Sequence, residues 1–178
     1  SAVISLVPLL NDHDESVRTA AAEAIAAVGE LQDADRATLV QGLKSEDSLV
    51  RVQTAKALGT IGAAAEEAAP ALVKAMGDSN DRVRAEAVEA LGKIGEVAAP
   101  AAVPKLVKAL RDPDTWVGSL AAEALGLMGE AAEGAIPALL SSMRHPTPKV
   151  RGNAAEALGR MGEAAERARP TLEKAASD

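Results

Sequence analysis

The sequence predicts an all-α protein, a right-handed α-solenoid of about five two-helix repeats with a terminal half repeat. Three observations carry this reading. A valine, usually followed by arginine, recurs at Val17, Val50, Val83, Val117 and Val150, at spacings of 33, 33, 34 and 33 residues. Hydrophobic residues make up 48% of the 178 positions while aromatics make up 1%, which favours helix over strand. The apolar positions after each valine recur with helical period, yet no single repeat could bury its own apolar face. Such units must stack on their neighbours.

Each repeat reads as two helices. Three residues before each valine stand Asp14, Asp47, Asn80, Asp114 and Thr147, whose side-chain oxygens suit a helix N-cap. Pro148 then falls on a first helical position, where its missing amide costs nothing. Gly29, Gly62, Gly95, Gly129 and Gly162 end the second helices in positions that suit a left-handed conformation. Pro70, Pro104, Pro137 and Pro170 are expected to open first helices, with the extra residue of the longer spacing in a loop around Pro100. The repeats cover approximately 1–31, 32–64, 65–98, 99–131 and 132–164, with a partial capping helix over 165–178.

With the valine as position one, positions one, five, eight, nine and twelve form the core stripe, as in Val83, Ala87, Ala90, Leu91 and Ile94. Positions six and ten are small: Ala22 and Ala26, Ala55 and Gly59, Val88 and Gly92, Ala122 and Gly126, Ala155 and Gly159. Small residues there would let successive second helices approach closely.

The pattern Asp/Asn-x-x-Val-Arg-x-x-Ala-x-x-Ala-Leu-Gly-x-Ile/Met-Gly, best seen in Asp47 to Gly62 and Asn80 to Gly95, resembles the short bacterial HEAT repeat of phycobilisome-lyase type. The likeness covers roughly residues 2 to 176. Tetratricopeptide repeats would need bulky aromatics, and ankyrin repeats a Thr-Pro-Leu-His start. The resemblance implies that the arginine after the valine pairs with acidic or carbonyl groups across the stack. Arg18, Arg51, Arg84 and Arg151 keep it, and Gly118 replaces it. The ends differ. Glu173 and Lys174 suit a polar cap, whereas Val3, Ile4, Leu6, Val7, Leu9 and Leu10 have no cap before them. That first helix is expected to pack on upstream sequence or on a second copy, so the chain reads equally as a fragment.

Composition excludes much chemistry. Without cysteine there is no disulfide framework, thiolate metal site or thiol nucleophile. Two histidines leave little material for a hydrolase triad, and His13, within Asp12-His13-Asp14-Glu15, reads as part of a solvated turn. The Gly-x-x-Gly segments, such as Gly59 to Gly62, fall at helix C-termini, where the dipole repels phosphate. No apolar run approaches the roughly 20 residues of a membrane span, and no cofactor or metal is expected. The sequence does not fix a compartment; a soluble, cytoplasmic setting is marginally preferred.

A net charge of −7 argues against nucleic acid unless the basic residues segregate on one face. In HEAT-like stacks the second helices line the concave side, where positions zero, four, seven and eleven lie within about 40° of position zero. Those rows hold Lys56, Arg82, Lys93, Lys149 and Arg160 against Glu23, Glu86, Glu89, Glu123 and Glu156, so no basic stripe exists there. The row Trp116, Leu120, Glu123, Leu127 is different, with the chain's one aromatic beside two leucines. Trp116, Leu120 and Leu127, rimmed by Glu89, Lys93, Glu123 and Arg160, have the make-up of a protein-binding hot spot. The expected function is a non-catalytic scaffold gripping a peptide or a partner helix, with no nucleic acid and no membrane as partner. Two alternatives remain: a phycobilin lyase-like subunit, implied by the resemblance, and an engineered or consensus-influenced stack without a natural ligand.

Overall fold

A computed structural model describes residues 2–28 and 33–167, and among them there is no strand. The helices are α1 (Ala2–Leu6), α2 (Glu15–Ala27), α3 (Asp33–Gly42), α4 (Ser48–Ile61) and α5 (Ala69–Ala75), then α6 (Asp81–Ile94), α7 (Ala99–Ala109), α8 (Thr115–Leu127), α9 (Ile136–Ser142) and α10 (Pro148–Met161). Odd-numbered helices are the first of each repeat and even-numbered ones the second. The capping helix expected over 165–178, including Pro170, Glu173 and Lys174, falls almost wholly outside the described residues, as does Gly29.

Side-chain caps start the second helices as the sequence requires. The carboxylate or amide oxygen of Asp14, Asp47, Asn80 and Asp114 accepts from the backbone N–H two residues on. Thr147 departs from this. It occupies the N-cap with extended backbone, but its hydroxyl makes no capping bond, and its own N–H donates to His145 Nδ1 at 3.1 Å. Pro148 follows at the first helical position, where its missing amide costs nothing. The glycines ending the second helices have positive φ, as at Gly62 (66°) and Gly95 (81°). Their ψ values of −139° and −148° place them in the extended region open only to glycine, not in the left-handed helical one.

The proline assignment needs correction in one repeat. Pro100, not Pro104, sits in the first turn of α7, and Pro104 lies inside that helix. The corresponding short 3₁₀ segments and helices are Gly62–Ala68 with seven-residue α5, Gly95–Ala98 with eleven-residue α7, and Gly129–Ala135 with seven-residue α9. The extra residue is therefore wound into the helix, which begins a turn early, and no loop forms around Pro100.

The core is aliphatic throughout: Leu10, Ile25, Leu39, Leu58, Leu72, Leu91, Leu106, Leu125 and Leu139 are fully buried among alanines. Second helices pack along one another, α4 on α6, α6 on α8 and α8 on α10, while first helices touch one another far less. The stack therefore curves with the second helices inside. Small residues permit that approach in a fixed register. A Cβ added to Gly92 would stand 3.0 Å from Ala124 Cα, and one added to Gly126 would stand 2.8 Å from Ala157 Cα. Position ten of one repeat thus seats against position eight of the next.

An arginine ladder runs along the intra-repeat turns. Arg51 Nε and Nη2 donate to Asp78 Oδ2 and Oδ1 at 2.8 and 3.0 Å, and Arg84 makes the same pair with Asp112 at 2.9 and 2.8 Å. The third nitrogen of each, Nη1, donates to carbonyls of its own turn, Ser45 and Glu46 for Arg51, Asp78 and Ser79 for Arg84. Burial works against the Asp78 charge, but the Arg51 hydrogen bonds, the Asn80 amide and the charges of Arg51 and Arg84 outweigh it, and the carboxyl is held below its usual range. Ser45 and His145 occupy the ladder position in the second and fifth repeats. His145 therefore faces the repeat whose arginine is replaced by Gly118, so both partners of that rung are absent together. Arg18 retains its carbonyl bonds to Asp12 and His13, but its Nε is buried without a partner.

Candidate functional site

A cleft of about 490 Å³ lies on the inner side, across the N-terminal halves of α2, α4, α6 and α8. Its walls include Arg18, Leu49, Gln53, Lys56, Arg82, Glu86 and Trp116. Trp116 is 56% exposed and Leu49 is 41% exposed, so two large apolar side chains stand open at the cleft. Trp116 is placed there by Asp114, whose carboxylate accepts the Trp116 amide at 2.7 Å and fixes the first turn of α8.

The other predicted anchors do not join it. Leu120 is only 7% exposed and belongs to the core, which corrects its assignment to a solvent-facing row. The reason is common to the repeats. Position four lies beside position eight on the side of the preceding helix, so Gln53 and Asn153 are buried as well, and Asn153 Nδ2 donates to Ser119 O at 2.8 Å. Leu127 is 47% exposed but sits eleven residues along α8 from Trp116, about 16 Å away at 1.5 Å per residue. It leans on α6, its Cδ1 3.3 Å from where a Gly92 Cβ would be. The polar rim is equally dispersed. Lys93 pairs with Glu89 and Arg160 with Glu156, each at 2.7 Å. Glu123 and Arg160 border a crevice between α8 and α10 that has no room for a ligand.

Arg18, Leu49, Gln53 and Glu86 bring the chemistry that the predicted site lacked. Gln53 is 8% exposed and its Oε1 has no hydrogen-bond partner, and Arg18 is 9% exposed with an unpartnered Nε. A buried donor and a buried acceptor thus stand unsatisfied at one cleft. Burial pushes the Glu86 carboxyl above its usual range, the neighbouring Glu89 adds to this, and Lys56 and Lys93 oppose it. The signal for Arg18 was present in the sequence as Ser45 standing where Asp78 and Asp112 stand in the next repeats.

No group of three or more His, Cys, Asp or Glu converges among the described residues. His13 is solvent-exposed, 3.1 Å from Asp12 Oδ1. No described helix is long and apolar enough to cross a membrane.

Comparison with known proteins agrees with this architecture. A computationally designed armadillo repeat protein for modular peptide recognition is 26% identical, with 90% of this chain and 82% of that chain aligned and a TM-score of 0.63. The complex of CpcE and CpcF of phycocyanin lyase from Nostoc sp. PCC7120 gives 25% identity over 90% of this chain and 65% of that chain, with a TM-score of 0.70. An engineered protein gives 26% identity over 90% and 79%, with a TM-score of 0.66. No curated protein matches the sequence. A family model described as HEAT repeats matches residues 36–126 and 103–178, and one described as a single HEAT repeat matches 5–32. The chain belongs to the HEAT-repeat family.

Proposed function

We propose that the protein is a non-catalytic scaffold that holds a peptide or partner helix in the inner cleft, with Trp116 and Leu49 as its apolar anchors. The observation that carries this is the pairing of unsatisfied Gln53 Oε1 and Arg18 Nε beside those side chains. An unmet buried polar group costs about 1–3 kcal/mol, which a ligand recovers by supplying the complement. A peptide bond offers both a donor and an acceptor, the complements of these two groups. The fold's likeness to repeat proteins designed for peptide recognition supports the same reading. The test is selection of peptides from a random library on the wild-type protein, then titration against Trp116→Ala. Loss of the ring should weaken binding by about 2 kcal/mol, near thirtyfold. Selected peptides that bind the variant equally would remove the cleft as the site.

A second reading, a bilin-lyase-type subunit, is favoured by the likeness to the phycocyanin lyase complex. It predicts that the protein, alone or with a second subunit, perturbs the absorbance of an added linear tetrapyrrole; an unchanged spectrum in both cases counts against it.

A further inference from the structure

The basic stripe missing from the second helices is carried by the first helices and the turns that follow them. Residues 68–77, 97–111 and 134–144 contain no acidic residue, yet they hold Lys74, Lys105, Lys108, Arg111 and Arg144, in a chain of net charge −7. The register is regular. Lys74 and Lys108 stand nine residues before their repeat valines, and Lys44, Arg111 and Arg144 stand six before theirs. Lys74 and Lys108 lie on α5 and α7, while Lys44, Arg111 and Arg144 lie in the turns that follow α3, α7 and α9, so every repeat from the second to the fifth adds a cation at the C-terminal end of its first helix. These side chains are all exposed, and among the described residues none forms an ion pair. The nearest ladder carboxylates, Asp78 and Asp112, are already committed to Arg51 and Arg84 and to the amides of their own turns.

Open grooves lie between successive first helices along this line. One of about 390 Å³ lies beside Leu43, Lys44, Ala71 and Lys74, and one of about 360 Å³ beside Val107, Lys108, Leu110, Arg111 and Ala138. Leu140 and Met143 are exposed next to Arg144.

We infer that this outer stripe is a second docking surface, for an extended acidic segment of a partner protein. Its spacing follows from the fold. Packed helices lie about 10 Å apart and an extended chain advances about 3.3–3.6 Å per residue, so carboxylates at every third position meet successive helices. Aliphatic residues between them fill the grooves. Nucleic acid fits less well. The groove walls hold no ring on which a base could stack. The edge bearing Glu66, Glu67, Glu96, Glu130 and Glu133 would also repel a dense polyanion.

The test uses a fluorescein-labelled peptide of repeating Glu-Leu-Ser units long enough to cross four helices, titrated by anisotropy at low and high salt. Its Lys-Leu-Ser counterpart and oligo-dT serve as comparison probes. The acidic peptide should bind saturably, with affinity falling as salt rises. Lys108→Glu with Arg111→Glu should weaken it at least about tenfold, while Trp116→Ala leaves it unchanged, which separates this surface from the inner cleft. Lys74→Glu with Arg144→Glu gives a second reading should the first pair alter the thermal melt. Absence of acidic-peptide binding at low salt, equal binding by both charge-reversed proteins, or tighter binding of oligo-dT overturns the inference.

Discussion

Replacing Ser45 by aspartate should extend the arginine ladder by one rung. In the equivalent Arg51–Asp78 pair the side chains are 15% and 14% exposed, and two bonds of 2.8 and 3.0 Å join them. Hydrogen bonds to charged groups contribute about 1.5–3 kcal/mol each. Arg18 is already desolvated, with its Nη1 fixed on the Asp12 and His13 carbonyls, so no further cost falls on the arginine. Against the gain stand the desolvation and ordering of the new carboxylate and its repulsion by Glu46 and Asp47. The net gain should be about 1–2 kcal/mol, or roughly 3–6 °C in melting temperature for a chain of this size. The converse change, Asp78→Ser, strands a half-buried guanidinium and should cost about 2–4 kcal/mol. Urea unfolding followed by far-UV circular dichroism measures both. The decisive control is Arg18→Ala, in whose background Ser45→Asp should gain nothing. An equal gain in both backgrounds, or none in the wild type, refutes the ladder equivalence of Ser45.

Four further outcomes follow from the geometry. Gly126→Val should destabilise by about 1–3 kcal/mol, because its Cβ would meet Ala157 Cα at 2.8 Å. Gly159→Ala, where nothing lies within 4 Å, should stabilise by about 0.5–1 kcal/mol, and thermal melts compare the two. Glu86→Gln should stabilise at neutral pH, since the folded carboxyl sits above its usual range and its charge opposes folding once both states are ionised; the gain should vanish below the ordinary glutamate value, where both states are protonated. Asp78 has the opposite sign: its folded carboxyl sits below the usual range, so its contribution is full above the unfolded value and lost as pH falls through the folded one, and Asp78→Asn should flatten that acid limb of a stability–pH curve.

The repeat, the helix starts and the close helix–helix register were legible because each rests on a local rule repeated down the chain. Asp114 capping α8 and Gly92 meeting Ala124 are cases where residue type and spacing alone determine the outcome. Leu120 was misplaced because a helical wheel treats one helix as isolated. Position four is solvent-facing on such a wheel, and only the neighbouring second helix covers it, as it covers Gln53 and Asn153. Pro100 and Pro104 both fit a helix start by sequence, and the choice depended on how the inserted residue was accommodated. The outer basic line is legible in the repeat register, because Lys44, Arg111 and Arg144 stand six residues before their valines and Lys74 and Lys108 nine before theirs.

The arginine ladder also sets where the stack can give. Asp78 takes Arg51 on its carboxylate and Arg84 on its carbonyl, so the second, third and fourth repeats are tied in series. No rung joins Arg18 to Ser45 or Gly118 to His145, so the ladder ties neither of those two junctions, although Asn153 Nδ2 still donates to Ser119 O across the second of them. In a stack whose stability is a sum of neighbour terms, the weakest junctions open first. The inner cleft straddles one of them, with Arg18 on the loose repeat and Gln53, Glu86 and Trp116 on the tied block. A ligand in that cleft would act as the absent rung, and its binding should be read out as slowed amide exchange in α2.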